Sequence, residues 1–298
     1  MPPQGPRVPA DFDRATRWEA GRVLRELRAA SGIDLMEDGR PPGGQIGAAY
    51  VRWPDGHRSV LTCRPAKDRQ EAESALVAAR QSGRLSAAAR WRGVPAPAYE
   101  LVEILPVGIA IVQELMPGSP PATVTRQTVE SMLEVNRLCR GLLASWTDLA
   151  APSLYLLTDG PGFCLHAPMA SYDRRTARLL GAIEEIGSAV PEVLAGEDLV
   201  HFDFHPENVL VDTDGNLTGV IDWDGANRSN GVLDLTTLRF DLARREPGLA
   251  ELLAGGANDM VSRACWAHMS LRLIDWAIRE HGPADVNAWI DVANELMP

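Results

Sequence analysis

Apolar residues recur at two different spacings along this chain, and the spacing changes near Pro117. Before that point much of the pattern alternates, which predicts strands, and after it apolar residues recur every three or four positions, which predicts helices. In the first part we predict a helix at 13–31, a β-hairpin formed by 48–53 and 59–64, and a second helix at 70–81. Two further strands are predicted at 99–105 and 108–114. Short strands and loops are predicted at 199–224, among helices at 125–146, 174–190, 233–244, 259–279 and 284–296. The pattern predicts an α+β fold with a β-rich first lobe and a helical second lobe.

Glycine and proline mark the predicted breaks. The Pro-Asp-Gly triplet at 54–56 predicts the hairpin turn, and Met-Pro-Gly at 116–118 interrupts the strand pattern. We therefore expect an N-terminal nucleotide-binding lobe at 1–117 and a C-terminal catalytic and substrate-binding lobe at 118–298. The Pro-rich segment at 1–12 is expected to be a flexible leader.

Charge is unevenly distributed between these two parts. The net charge is −11 over 298 residues. The first 117 residues carry 16 basic against 14 acidic side chains, whereas the remainder carries 13 against 26. An acidic second half repels nucleic acid and attracts small cations. Acidity that only serves solubility is the alternative explanation.

Several classes of protein are disfavoured by what the sequence lacks. No stretch approaches the roughly 18 apolar residues of a membrane span, and the N-terminus has no signal-peptide core. We therefore expect no membrane partner and a cytoplasmic location. The sequence also lacks the G-x-x-x-x-G-K-S/T phosphate loop. Disulfide frameworks and zinc cages are disfavoured by the scattered cysteines, Cys63, Cys139, Cys164 and Cys265.

The most informative segment is H-F-D-F-H-P-E-N-V-L-V at 201–211, followed by G-V-I-D-W-D at 219–224. Phosphoryl transfer needs a carboxylate that orients the acceptor hydroxyl and oxygen ligands that hold Mg²⁺. Asp203 can supply the carboxylate, and Asn208 and Asp222 can supply oxygen ligands. Apolar runs after Asn208 and before Asp222 predict a hairpin that brings these two residues together.

This segment resembles the catalytic signature of the aminoglycoside phosphotransferase and choline kinase family. That family has an H-x-D-x-x-x-x-N loop and a later I-D-W/F motif, and it has a bilobal protein-kinase-like fold. The resemblance implies that Asp203 is the catalytic base and that Asn208 and Asp222 bind magnesium. It also implies that His201 and Asp234 support the catalytic loop. The implied cofactors are ATP or GTP and Mg²⁺.

The nucleotide-binding residues are less clearly marked. Gly44 lies in a glycine run whose backbone amides can approach phosphates. Thr62 stands where kinase-like enzymes place a lysine, so Arg64, on the same side of the strand, or Lys67 is expected to contact the phosphates. Acidic residues on the following helix, Glu71 or Glu73, are candidates to pair with that cation. A surface role for Arg64 and Glu73 is the alternative.

The segment at 112–118 resembles the family's hinge. The resemblance implies that the carbonyl of Glu114 and the amide of Met116 meet the purine edge.

The acceptor is expected to be a small, cationic, hydroxyl-bearing molecule. Acidic side chains that can bind it include Glu207, Asp224 and Asp275. Within the family, the motifs are most similar to those of the viomycin and capreomycin phosphotransferases. That similarity implies phosphorylation of a tuberactinomycin antibiotic and resistance to it.

The sequence leaves four alternatives open. One is a kinase for aminoglycosides, choline, homoserine or a sugar, and another is a nucleotide-binding module without catalysis. If residues 201–205 form a strand, His201, Asp203 and His205 share one face and can bind a transition metal, as in a metallohydrolase. Lastly, Asp203 and Asn208 can simply cap a turn.

Overall fold

The computed structural model describes residues 18–41, 47–253 and 259–298. These residues form two compact units. The sheet unit comprises the described residues of 18–119 and Val209–Gly225, and the helical unit comprises Pro120–Asn208 and the described residues of Ala226–Pro298. No helix in the described ranges has the length and apolar character needed to cross a bilayer. The predicted leader at 1–12 and Gly44 lie outside the described residues.

An antiparallel five-stranded sheet is the centre of the sheet unit, and its strand order is β1-β2-β3-β5-β4. Its strands are β1 (Met36–Glu37), β2 (Ala49–Arg52), β3 (Arg58–Pro65), β4 (Tyr99–Leu105) and β5 (Gly108–Glu114). Two helices accompany the sheet, α1 (Ala20–Ser31) and α2 (Arg69–Trp91). Apolar side chains of α1, among them Leu27, pack with Leu61 of β3 and Val112 of β5 in one buried cluster.

The predicted hairpin is confirmed. Strands β2 and β3 pair with Ala49 opposite Leu61 and Arg52 opposite Arg58. Between them Gly56 has φ of 94°, a left-handed conformation that glycine adopts without a steric penalty. Side chains of β3 alternate between buried and half-buried, so Thr62 and Arg64 do lie on the same face.

The prediction for the second helix was too short. Helix α2 continues ten residues past the expected end at 81, to Trp91. Gly83 weakens the helical pattern in the sequence, yet it lies inside the helix. A β-carbon at this position would be 3.1 Å from the Tyr99 side chain, which explains why the residue is glycine. Close approach of helix and strand explains this glycine better than a helix end does.

Helices dominate the helical unit. They are α3 (Arg126–Cys139), α4 (His166–Tyr172), α5 (Arg174–Ala189), α6 (Val232–Arg245), α7 (Pro247–Ala250), α8 (Met260–Glu280) and α9 (Pro283–Glu295). A short antiparallel pair of strands, β6 (Asp198–Val200) and β9 (Asn227–Ser229), accompanies them.

The predicted helix at 125–146 was too long. Thr125 forms a capping box with Thr128, which starts α3 where expected. The helix ends at Cys139 because Arg140 is extended and Gly141 has φ of 63°. The carboxylate of Asp198 accepts a hydrogen bond from Gly141 N at 2.8 Å and fixes this turn.

Strands β7 (Val209–Val211) and β8 (Leu217–Val220) form the hairpin predicted after the catalytic motif. Val209 pairs with Val220 in the antiparallel register. Asn208 therefore directly precedes one end of the hairpin, and Asp222 follows the other end by two residues. The hairpin belongs to the sheet unit, since Ser119 and Val211 exchange backbone hydrogen bonds of 3.2 and 2.9 Å. The predicted boundary between residues 117 and 118 did not anticipate that Val209–Gly225 belongs to the sheet unit.

Candidate active site

The loop at 201–205 is held by a carboxylate from α6. Asp234 is buried, and its two oxygens accept hydrogen bonds from His201 N at 2.8 Å and Phe202 N at 2.9 Å. Phe202 has φ of 69°, a conformation that costs energy for a residue with a side chain. Asp234 thus stabilises a strained turn.

Asp203 emerges from this turn and is contacted on both oxygens. Arg272 of α8 donates to Oδ1 at 3.0 Å, and its other terminal nitrogen donates to Phe202 O at 2.6 Å. On the other oxygen, Oδ2, Asn208 Nδ2 donates at 3.1 Å and the His205 Nε2 atom lies at 3.3 Å. The Asp203 side chain is still 39% exposed, so an acceptor can reach it.

Electrostatics keep Asp203 ionised. Burial alone would raise the pKa of Asp203, but the hydrogen bond with His205 and the charge of Arg272 outweigh it and hold the pKa well below its usual value. For His205 the balance is reversed. Burial lowers the pKa of His205, but the hydrogen bond with Asp203 and the nearby negative charges together outweigh that effect, so the pKa of His205 is raised overall.

Asn208 presents an oxygen that can bind a metal. Its amide nitrogen donates to Asp203 O at 2.9 Å as well as to Oδ2. Its amide oxygen accepts no hydrogen bond from any described residue, so a lone-pair donor remains available. Amide and carboxylate oxygens suit Mg²⁺, and Asn208 fits this role.

Asp222 is a second oxygen donor, in the sheet unit. It has φ of 63° and is exposed, and its carboxylate makes no hydrogen bond with the described part of the chain. The next residue, Trp223, is 1% exposed and donates from Nε1 to Val220 O at 2.8 Å. This buried indole anchors the turn that carries Asp222 and Asp224 on either side of it.

Arg64 is paired with one of those acidic residues. Its guanidinium forms an ion pair with Asp224, and Tyr99 of β4 donates to the other Asp224 oxygen at 3.4 Å. Burial lowers the pKa of Arg64, while the negative charge of Asp222 is among the influences that oppose this. Asp224 was predicted to contact the acceptor, and in the structure its carboxylate is paired with Arg64.

The alternatives for the phosphate-binding cation have other environments. Lys67 is exposed and lies beyond β3. The carboxylate of Glu71 accepts from Lys67 N at 2.7 Å, and Glu73 accepts from Arg69 at 2.8 Å. Neither acid of α2 therefore pairs with Arg64, contrary to the expectation.

The segment predicted as the hinge follows β5 directly. The side chain of Glu114 is engaged by Arg90 and by Ala98 N. Met116 N donates to no described residue, so this amide is free for a ligand. A β-carbon on Gly219 of β8 would lie 3.2 Å from Met116, which shows that the hinge and β8 pack closely within the sheet unit.

The other two residues predicted to bind the acceptor, Asp275 and Glu207, differ in burial. Asp275 is fully buried, and its carboxylate accepts from Leu165 N at 2.8 Å and from Arg279 at 2.8 and 3.1 Å. Its placement is structural, which corrects the predicted contact with the acceptor. Glu207 is exposed and forms an ion pair with Arg245 at 2.6 Å.

Neither Arg272 nor Tyr99 was predicted as a site residue. Arg272 is 69 positions from Asp203, and neither residue belongs to a motif, so no sequence signal marks them. The metallohydrolase alternative required a strand at 201–205. The positive φ of Phe202 prevents that strand. Among the described residues, no group of three His, Cys, Asp or Glu side chains is arranged to hold a metal ion.

Comparison with known proteins establishes the family. Residues 38–270 match the model of the phosphotransferase enzyme family. Since the match spans most of the 298 residues, this chain belongs to the phosphotransferase enzyme family. No curated protein sequence matches it.

Solved structures share the fold. The amicoumacin kinase hAmiN, in complex with AMP-PNP, Ca²⁺ and Ami, is 11% identical with a TM-score of 0.64, covering 95% of this chain and 96% of its own. A thermostable mutant of the aminoglycoside phosphotransferase APH(4)-Ia is 18% identical with a TM-score of 0.59, covering 92% and 97%. The macrolide 2'-phosphotransferase MphH from Brachybacterium faecium is 20% identical with a TM-score of 0.53, covering 92% and 98%. The fold of this chain is kinase-like.

Proposed function

We propose that this protein is an ATP-dependent O-phosphotransferase that phosphorylates a hydroxyl group of a small cationic antibiotic. The observation that carries the proposal is the geometry of Asp203, which is held on both oxygens by Arg272, Asn208 and His205 yet remains 39% exposed. A carboxylate fixed in this way suits the orientation of a hydroxyl group better than a general structural role.

In the proposed reaction Asp203 accepts a hydrogen bond from the acceptor hydroxyl and takes its proton as that oxygen bonds to the γ-phosphorus of ATP. The bond from this phosphorus to the bridging oxygen breaks in the same step, and ADP leaves. The transition state of phosphoryl transfer is loose, so the hydroxyl loses its proton late and a weak base is sufficient. The lowered pKa of Asp203 agrees with this, because it keeps the carboxylate ionised and ready to accept at neutral pH. Its contribution is mainly orientation.

Each unit offers an oxygen donor that suits Mg²⁺, an ion that would neutralise charge on the phosphates. In the helical unit this donor is the amide oxygen of Asn208, and in the sheet unit it is the carboxylate of Asp222. The described residues use neither group. The guanidinium of Arg64 and the free amide of Met116 are the groups proposed to contact the triphosphate and the purine.

The acceptor class rests on charge and on the relatives. The second half of the chain carries twice as many acidic as basic residues, 26 against 13. Structures of this fold have been solved with ADP and hygromycin B and with GDP and kanamycin. A tuberactinomycin peptide such as capreomycin or viomycin is our specific proposal, supported by the sequence motifs at 201–208 and 219–224.

A phosphate-transfer assay tests this proposal. Purified protein with Mg²⁺ and [γ-³²P]ATP is offered capreomycin, viomycin, kanamycin, hygromycin B, choline and homoserine. We expect label on capreomycin and viomycin at the highest kcat/KM. Preferential labelling of choline or homoserine would identify a metabolic kinase, and no labelling together with ATP binding would favour a nucleotide-binding module.

A further inference from the structure

Arg64 of β3 has no acidic partner on α2, the helix that follows it. Helix α2 carries only two acidic residues, Glu71 and Glu73, both near its start and both engaged with neighbouring groups. From 74 to 91 the helix contains no acidic residue, although it contains Arg80, Arg84 and Arg90. A cation on β3 therefore cannot be oriented by this helix.

The turn that carries Asp222 supplies the missing carboxylate. Asp224 forms an ion pair with Arg64, and both side chains are largely buried, with 31% and 25% of their surfaces exposed. The Tyr99 hydroxyl donates to the second oxygen of Asp224, so the carboxylate is fixed from two strands. Buried Trp223 fixes the turn itself. Each of these contacts lies within the sheet unit.

From this arrangement we infer that Asp224 is the positioning residue for Arg64, and that Arg64 contacts the phosphates of the nucleotide. The inference rests on the proposed function. A partly desolvated arginine gives a fork of donors that suits phosphate oxygens, provided its orientation is fixed. Because Asp222 and Asp224 flank one anchored tryptophan, a single turn carries both the proposed metal ligand and the partner of the phosphate-binding cation.

Nucleotide binding by Asp224→Asn tests the inference without catalysis. Isothermal titration measures the dissociation constants of Mg·AMP-PNP and of adenosine, which lacks phosphates. We expect the Mg·AMP-PNP constant to rise about tenfold and the adenosine constant to change less than about twofold, because a charge-assisted contact to phosphate is weakened. Asp224→Glu keeps the charge and is expected to restore most of the affinity.

The matched control is Glu73→Gln. This change removes an acid from α2, the helix that follows β3 in the chain, and is expected to leave both dissociation constants unchanged. Tighter binding of Mg·AMP-PNP by Asp224→Asn would overturn the inference, because Asp224 would then compete with the nucleotide for Arg64. A large effect of Glu73→Gln would overturn it as well.

A charge swap separates positioning from a structural ion pair. In the double variant Arg64→Asp with Asp224→Arg the pair is re-formed, so we expect the melting temperature to recover relative to either single variant. Nucleotide affinity is expected to stay low, since no cation remains at position 64. Recovery of affinity would assign Arg64 a structural role only. If the unaltered protein binds no nucleotide, the proposed function is wrong, and this inference is wrong with it.

Discussion

At the scale of single residues, Asp203 depends on neighbours that act on different atoms. Arg272 binds one carboxylate oxygen and also Phe202 O, so it fixes the side chain and the backbone of the loop together. His205 and Asn208 approach the other oxygen. The carboxylate can therefore rotate little, and it retains lone pairs for an acceptor hydroxyl.

Another buried residue of the helical unit, His268, gives the protein a pH-dependent stability. Burial lowers the pKa of His268 to about 4, against the opposing effect of its hydrogen bond with Leu154 O at 2.9 Å, and the charge of Arg272 adds to the lowering. The unfolded chain, with an ordinary histidine pKa near 6.5, binds a proton at a pH where the folded protein does not. Stability from this residue is present above pH 6.5 and is lost as the pH falls towards 4.

We predict that His268→Asn removes part of the acid sensitivity. In urea unfolding followed by circular dichroism, the unaltered protein should lose about 1–3 kcal/mol more stability than the variant between pH 7 and pH 4.5. Asparagine retains a donor for Leu154 O and does not titrate. Equal pH profiles for the two proteins would show that His268 is not the group responsible.

At the scale of elements, the hairpin β7–β8 is fixed to the hinge by a close approach of backbone. Gly118 has φ of 96°, and a β-carbon there would lie 2.6 Å from Val211 O and 2.5 Å from Thr218 Oγ1. Thr218 also donates to Pro117 O at 2.6 Å. Glycine is thus required here both by conformation and by space.

Gly118→Ala should therefore destabilise the protein more than an alanine at another left-handed glycine. Gly93, with φ of 91° and open space around its β-carbon position, is the matched control. We expect Gly93→Ala to cost about 1 kcal/mol and Gly118→Ala about 2–4 kcal/mol in thermal unfolding, since steric overlap adds to backbone strain. Nucleotide affinity should fall only for Gly118→Ala. Similar losses at both positions would argue against the close approach.

Local sequence rules predicted most of these elements but not their ends. The 54–56 turn and the alternation of β3 follow from glycine chemistry and side-chain periodicity, and both are confirmed. Helix α2 exceeded its predicted length because the packing of Gly83 on Tyr99 is a tertiary contact. The loop residues of the motif were apparent because they are close in sequence. Arg272 and the Asp224 partner of Arg64 were not, because only folding brings them to their sites.

At the scale of the whole molecule, charge is the property that bears most on the acceptor. The excess of acidic residues in the second half would attract a cationic acceptor. The range of this attraction is the Debye length, which is about 10 Å at 0.1 M salt and shorter at higher salt. Family membership and the kinase-like fold define the reaction class, whereas charge helps to define which molecules approach.

Salt dependence is therefore expected to scale with the charge of the acceptor. The value of kcat/KM, measured by phosphate transfer between about 50 and 500 mM NaCl, should fall several-fold more for acceptors with more positive charges. Acceptors that carry different numbers of amines but the same reactive hydroxyl provide the comparison. Identical slopes for them would indicate that the acidic surface serves solubility alone.

The central claim is that Asp203 orients the hydroxyl that receives the phosphate, and single-turnover transfer tests it most directly. Asp203→Asn keeps the size of the side chain and removes its negative charge. Measured with [γ-³²P]ATP and the best acceptor, the transfer rate of this variant should fall at least about a hundredfold, while titration with Mg·AMP-PNP shows nucleotide affinity within about threefold of the unaltered protein. A variant that transfers phosphate at a near-normal rate would contradict the account.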